Sequence, residues 1–180
     1  MQQAAPVEET TPRSERAWVN AANMRGRLPR RVGALAGLVG SVAIIAVITA
    51  VIVATGNGLF TAPRVIASVV FGANVSGVLP VIVGTIIHLF TGTALGFIFA
   101  AIMPPIYRTM WMVAGLIYGM LAFAVSTMVV LPLITQMATN TADNVFVLLI
   151  AHMVYGFILG IAGSTYGLWW KLPKSVSRED

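Results

Sequence analysis

Ile87-His88-Leu89-Phe90-Thr91-Gly92-Thr93-Ala94-Leu95-Gly96 returns 64 residues later as Ala151-His152-Met153-Val154-Tyr155-Gly156-Phe157-Ile158-Leu159-Gly160. The common pattern is HxxxGxxLG, and across the sixteen positions that start at Val81 and Val145 seven residues are identical. Apolar segments resemble one another through composition alone. A rare histidine and two glycines repeated at fixed offsets are not explained that way, so the chain contains a duplication. Small residues also recur every fourth position around each histidine: Gly84, His88, Gly92, Gly96 and Ala100 in the first copy, His152, Gly156, Gly160 and Ser164 in the second. On a helix such a series makes one smooth face.

Each copy sits in an apolar run longer than the roughly 20 residues that a membrane helix needs. These runs are Gly77 to Met103 and Asn144 to Trp170, and Gly33 to Ala54 and Met110 to Ile134 are two more. The whole composition agrees: 58% of the 180 residues are hydrophobic, 9% are charged and the mean hydropathy is +0.88. Soluble domains carry about 25% charged residues, so the apolar surface here must be solvated by lipid. There is no cysteine, which removes disulfides, thiolate metal sites, iron-sulfur clusters and covalently attached haem. The run from Gly33 is too long for a signal-peptide core and follows a polar leader, so it reads as a retained helix.

Four spans put both termini on one side. That side carries Arg13, Arg16, Arg25, Arg27, Arg30, Arg31, Arg108, Lys171, Lys174 and Arg178, and the other carries Arg64 alone. The positive-inside rule therefore predicts cytoplasmic termini in a cytoplasmic membrane. Tyr107, Trp111, Trp169 and Trp170 fall at the same interface, where an aromatic belt is expected. Residues 1–31 and 171–180 are polar, and the leader also contains three prolines, which reads as disorder. The leader's arginines are interspersed with Glu8, Glu9 and Glu15, so they read as topogenic charge, with no nucleic-acid partner.

The first and third spans carry a weaker echo, Gly33-Ala-Leu-Ala-Gly37 against Gly115-Leu-Ile-Tyr-Gly119, at an offset of 82. The 18 extra residues of the first copy fit the connection from Asn57 to Asn74. Thr61 as N-cap, Pro63 in the first turn, an apolar run from Val65 to Phe71 and Gly72 as stop predict a short interfacial helix there. The expected fold is an all-α membrane protein: a four-helix bundle of two tandem hairpins, residues 32–103 and 104–170. Two-span hairpins repeat in parallel, about a pseudo-twofold axis along the membrane normal.

Within the four apolar runs there is no Asp, Glu, Lys or Arg, which leaves His88 and His152 as the ionisable groups of the membrane interior. At 1.5 Å per residue they lie roughly 16 Å and roughly 12 Å in from the outer ends of their helices. Three readings stay open. Each imidazole bonds a backbone carbonyl or a hydroxyl such as Tyr118, Tyr155, Thr91 or Ser126. Alternatively the pair ligates a metal or the iron of a b-type haem, or holds a quinone, with Gly92, Gly96, Gly156 and Gly160 making room for the flat ligand. The third reading is a substrate path in a small transporter or channel. Arg64 and Asp143 are the charges of the outer connections and are candidates to pair across the bundle mouth.

At the two HxxxGxxLG segments the chain resembles a family of small four-span membrane proteins of bacteria and archaea that is known only as a domain of unknown function. The likeness runs approximately from Gly33 to Gly167. It implies the four-helix fold and no activity, and it carries over no catalytic residue. A looser similarity to b-type cytochrome subunits rests on the two histidines and their glycines, and departs from the usual pairing of ligands along the same helices.

The resulting expectation is an integral membrane protein without enzymatic chemistry of its own, an accessory or assembly subunit of a larger membrane complex. Its partners would be the lipid bilayer and other membrane subunits, or further copies of itself. Short extramembrane segments and small-residue faces motivate it.

Overall fold

The computed structural model describes residues 25–72, 76–130, 132 and 145–169. Among them are five α-helices and one short ribbon. Helix α1 spans Arg30–Ala54, α2 Thr61–Phe71, α3 Val78–Ile102, α4 Arg108–Val125 and α5 Val145–Trp169. At 25 residues each, α1, α3 and α5 reach about 37 Å, enough to cross the roughly 30 Å hydrocarbon core. Helix α4 continues as one wide turn of π-helix over Ser126–Val130 and completes a fourth apolar span.

The helix ends follow from local chemistry. Pro29 precedes α1 at φ −62° and ψ 140°, close to the φ its ring imposes. Gly77, at φ 92°, lets the chain turn into α3, and Pro80 stands in the first turn where no N–H is needed. The Pro104-Pro105 pair follows the end of α3, since a residue before proline avoids the helical region. In α4 the π turn lies just ahead of Pro132, whose ring displaces the backbone four residues back. Thr127 hydroxyl donates to the carbonyls of Phe123, at 2.9 Å, and Ala124, at 3.2 Å, in that widened stretch.

The expected spans are therefore present, each within a few residues of its sequence boundary where its end is described. The α-helical part of the third is shorter than expected, because Pro132 acts on the turn before it. The short helix of the first connection is also present, but Thr61 is its first residue and not its N-cap. The Thr61 hydroxyl donates back to the Gly58 carbonyl at 2.7 Å, and Gly72, at φ 80°, stops the helix as expected. Helix α2 lies along α3, with Pro63 and Ala67 packed on the bare backbone of Gly84.

Antiparallel α1 and α3 form one hairpin and α4 and α5 the other. Each is sealed by glycine on glycine. A Cβ on Gly96 would lie 2.7 Å from Gly37 Cα and directly against the Gly33 carbonyl. A Cβ on Gly156 would lie 3.0 Å from Gly119 Cα and directly against the Gly115 carbonyl. The contacts repeat with offsets of 78 for the first helices and 64 for the second: Gly37 against Gly92 and Gly96 corresponds to Gly115 against Gly156 and Gly160, so the duplication is a parallel structural repeat whose first helices are set one turn away from the 82-residue echo of the sequence. Lipid supplies no hydrophobic drive between helices, and such close backbone approach supplies dispersion in its place.

Two expectations need correction. The leader is not disordered up to residue 31: Arg25–Gly26 pairs antiparallel with Ile106–Tyr107, and Leu28 is 2% exposed in the core. An apolar side chain five residues before the first glycine contact gives the leader something to bury, and the ribbon ties it to the α3–α4 loop. Trp111 is not an interfacial belt residue either. It is 1% exposed, its ring lies over Gly163 and meets Phe99 edge-on at 5.9 Å, because Gly163 leaves a recess the size of an indole. The indole N–H has no partner among the described residues.

Candidate functional site

The repeated histidines occupy equivalent positions with different partners. His88 Nε2 reaches across to α1 and donates to the Ser41 carbonyl at 3.2 Å. His152 Nδ1 donates within its own helix to the Leu148 carbonyl at 2.8 Å. The facing residue does not explain the difference by size, since Ser41 corresponds to Gly119 at the offset of 78 that the contacts keep. What distinguishes His152 is the Phe123 ring, one turn further along α4, which stands edge-on to it at 6.0 Å and 69°. Both partners are carbonyls, one of the classes expected, and none of the candidate hydroxyls bonds a histidine among the described residues.

The two tyrosine hydroxyls are used elsewhere. Tyr155 on α5 is 1% exposed; its ring lies against Gly40 of α1, where a Cβ would sit 2.6 Å from Cδ2. Its hydroxyl continues past α1 and donates to the Gly92 carbonyl of α3 at 2.7 Å. Tyr118 on α4 donates to the Leu95 carbonyl of α3 at 2.9 Å and its ring stands 5.0 Å from Phe99. The two tyrosines thus join the hairpins.

The four glycines next to the histidines face within their hairpins, Gly92 and Gly96 towards α1, Gly156 and Gly160 towards α4. A Cβ on Gly160 would lie 2.9 Å from Met112 Cα. Among the described residues no three His, Asp or Glu side chains gather as a metal cluster. Arg64 lies on α2 with its buried Nε unpartnered among the described residues, and Asp143 falls outside them.

The hairpins join asymmetrically. Helices α1 and α5 are in broad contact, whereas α3 and α4 meet chiefly through large side chains. Strict twofold symmetry would make these interfaces alike. They differ because α1 offers Ala36 and Gly40 where α4, at the offset of 78 that the contacts keep, has Ala114 and Tyr118, and because Tyr155 of α5 corresponds to Thr91 of α3. Small residues admit α5 to α1 and Tyr155 closes that seam. In the equivalent seam Tyr118 props α3 and α4 apart, and Thr91 is exposed, its hydroxyl without a partner among the described residues. Single-residue motifs did not reveal this; aligning the copies and reading their differences would have.

Four apolar spans built as paired hairpins define a helical, multi-pass membrane protein. Within that class, the profile of the family of unknown function DUF6789 matches residues 29–168, and the chain belongs to that family. No curated protein and no solved structure matches the chain.

Proposed function

We propose that this protein is an accessory or assembly subunit of a larger membrane complex, without catalytic chemistry of its own, and that it meets a transmembrane helix of its partner along the α3–α4 seam. One observation carries the reading: where Tyr155 closes the seam on one side of the pseudo-twofold, its counterpart Thr91 is exposed, one turn along α3 from the Tyr118–Leu95 bond. Thr91 lies 13 residues into α3, roughly 20 Å along the helix and deep in hydrocarbon. An unpaired hydroxyl at that depth costs free energy that a donor or acceptor on an entering helix would recover. Rigid, glycine-sealed hairpins suit a subunit that presents a fixed face.

The test is extraction of the tagged protein from its native membrane in mild detergent, followed by native mass spectrometry. A second polypeptide or a second copy held in fixed stoichiometry, and released by Thr91→Leu, is expected. A lone monomer that keeps its fold and its bound lipid would contradict the proposal.

The alternative, a b-type haem or quinone between His88 and His152, draws on the one ring nitrogen of each histidine that its carbonyl bond leaves over, Nδ1 of His88 and Nε2 of His152. The packing of Gly92, Gly96, Gly156 and Gly160 against backbone favours the first reading. A reduced-minus-oxidised spectrum separates the two, since a Soret band lost in His88→Ala and His152→Ala would establish the haem.

A further inference from the structure

The described residues contain six arginines and no aspartate or glutamate, because all six acidic residues of the chain lie outside them. Five of the six, Arg25, Arg27, Arg30, Arg31 and Arg108, are gathered at one end of the bundle by the β-ribbon, which sets Arg25 opposite Tyr107 and beside the start of α4. Between the ribbon and the last turn of α3 is an open cavity of about 280 Å³ lined by Arg27, Leu28, Pro29, Arg30 and Ala100. Leu28 and Ala100 make an apolar floor; both arginines are exposed at its rim. The Arg30 guanidinium lies 5.9 Å from the centre of the Phe97 ring, which holds the side chain along α3 at the mouth.

The same cavity opens at the start of α1. Pro29 caps that helix without a side-chain bond and there is no acid in its first turn. The ladder begins with Val32 and Gly33, whose N–H groups donate to the Pro29 carbonyl at 2.9 and 3.0 Å, so those of Arg30 and Arg31 precede it. An apolar floor, a rim of two guanidiniums, forward-pointing N–H groups and the positive end of a helix dipole together fit one kind of ligand: a phosphate that carries an apolar chain.

We propose that this cavity seats the phosphate headgroup of an anionic phospholipid from the adjoining leaflet, with Arg27 and Arg30 as its ligands and the acyl chains running down α3 past Phe97.

The full-length protein in nanodiscs of mixed phosphatidylglycerol and phosphatidylcholine, with bound lipid counted by native mass spectrometry, tests this. Arg27→Gln with Arg30→Gln is expected to weaken phosphatidylglycerol retention by roughly 100-fold, because each removes a charge-assisted hydrogen bond to the phosphate. Arg31→Gln with Arg108→Gln removes equal charge at the same end and is expected to weaken it by no more than about 5-fold. Arg27→Lys with Arg30→Lys keeps the charge but not the forked geometry, and is expected to fall between them. Equal loss from the two glutamine pairs would reduce the site to general surface charge and overturn the proposal. So would equal retention of both lipids by the native protein, or inorganic phosphate alone displacing the lipid at millimolar concentration. Loss of the preference on deleting residues 1–24 and 171–180 would place the recognition in the tails and would also overturn it. Unchanged melting of each variant in phosphatidylcholine alone separates a lost site from a lost fold.

Discussion

Replacing Gly96 by alanine sets two effects of opposite sign against each other, and their magnitudes decide the outcome. Alanine is the better helix former by about 1 kcal/mol, so on propensity alone the variant gains stability. The new Cβ, however, would lie 2.7 Å from Gly37 Cα and directly against the Gly33 carbonyl oxygen, both of them backbone. Carbon atoms in contact prefer about 3.5–4.0 Å, so α1 and α3 must separate by roughly 1 Å along their closest stretch. Overpacking of this kind costs about 1–3 kcal/mol, and rigid backbone on two sides puts Gly96 at the upper end. The expected net loss is about 2 kcal/mol. Gly160→Ala is milder, since its Cβ would meet Met112 Cα at 2.9 Å and the Trp111 carbonyl at 3.0 Å, and a loss of about 1 kcal/mol is expected. Gly58→Ala is the control, with Thr61 Oγ1 at an ordinary 3.7 Å, and is expected to be neutral. Steric-trapping unfolding in bicelles reads all three. Gly96→Ala at or above wild-type stability would refute the close approach on which both hairpins depend.

Tyr155→Phe removes one hydrogen bond to the Gly92 carbonyl, an acceptor already engaged in its helix, so a loss of about 0.6 and at most about 1.7 kcal/mol is expected in the same assay. Tyr155→Ala also empties the recess over Gly40 and is expected to cost about 3–5 kcal/mol, with loss of the α1–α5 contact. His88→Ala and His152→Ala should differ despite the repeat: the first breaks a bond between α3 and α1, the second a bond inside α5. A loss of about 0.6–1.7 kcal/mol for His88→Ala against a smaller one for His152→Ala is expected, and the reverse order would contradict the partner assignments.

The number, lengths and hairpin pairing of the spans were legible in the sequence because lipid imposes one requirement, about 20 apolar residues per crossing, that composition alone reports. The glycine faces followed from the same logic, since Gly33, Gly37, Gly92 and Gly96 recur at helical spacing, but the register did not: the contacts of Gly37 return at Gly115, 78 residues on, one turn away from the 82-residue echo. What was not legible depends on which residue faces which across the bundle. Trp111 reads as a belt residue until Gly163 is seen opposite, and Tyr118 and Tyr155 read as partners for the histidines until Gly40 and Ala36 set the helix separations. Periodicity fixes a face within one helix but not the neighbour it meets. The order in residues 25–29 was hidden because a two-residue ribbon leaves no periodic signature.

Photo-crosslinking in the native membrane puts the open seam to the most direct test. With p-benzoylphenylalanine at Thr91, and at Val39 on the exposed face of α1, illumination should join the Thr91 variant to the polypeptide that comigrates in native mass spectrometry, while Val39 labels lipid only. Identical lipid-only labelling from both positions would mean that nothing enters the α3–α4 seam, and would contradict its assignment as the partner surface.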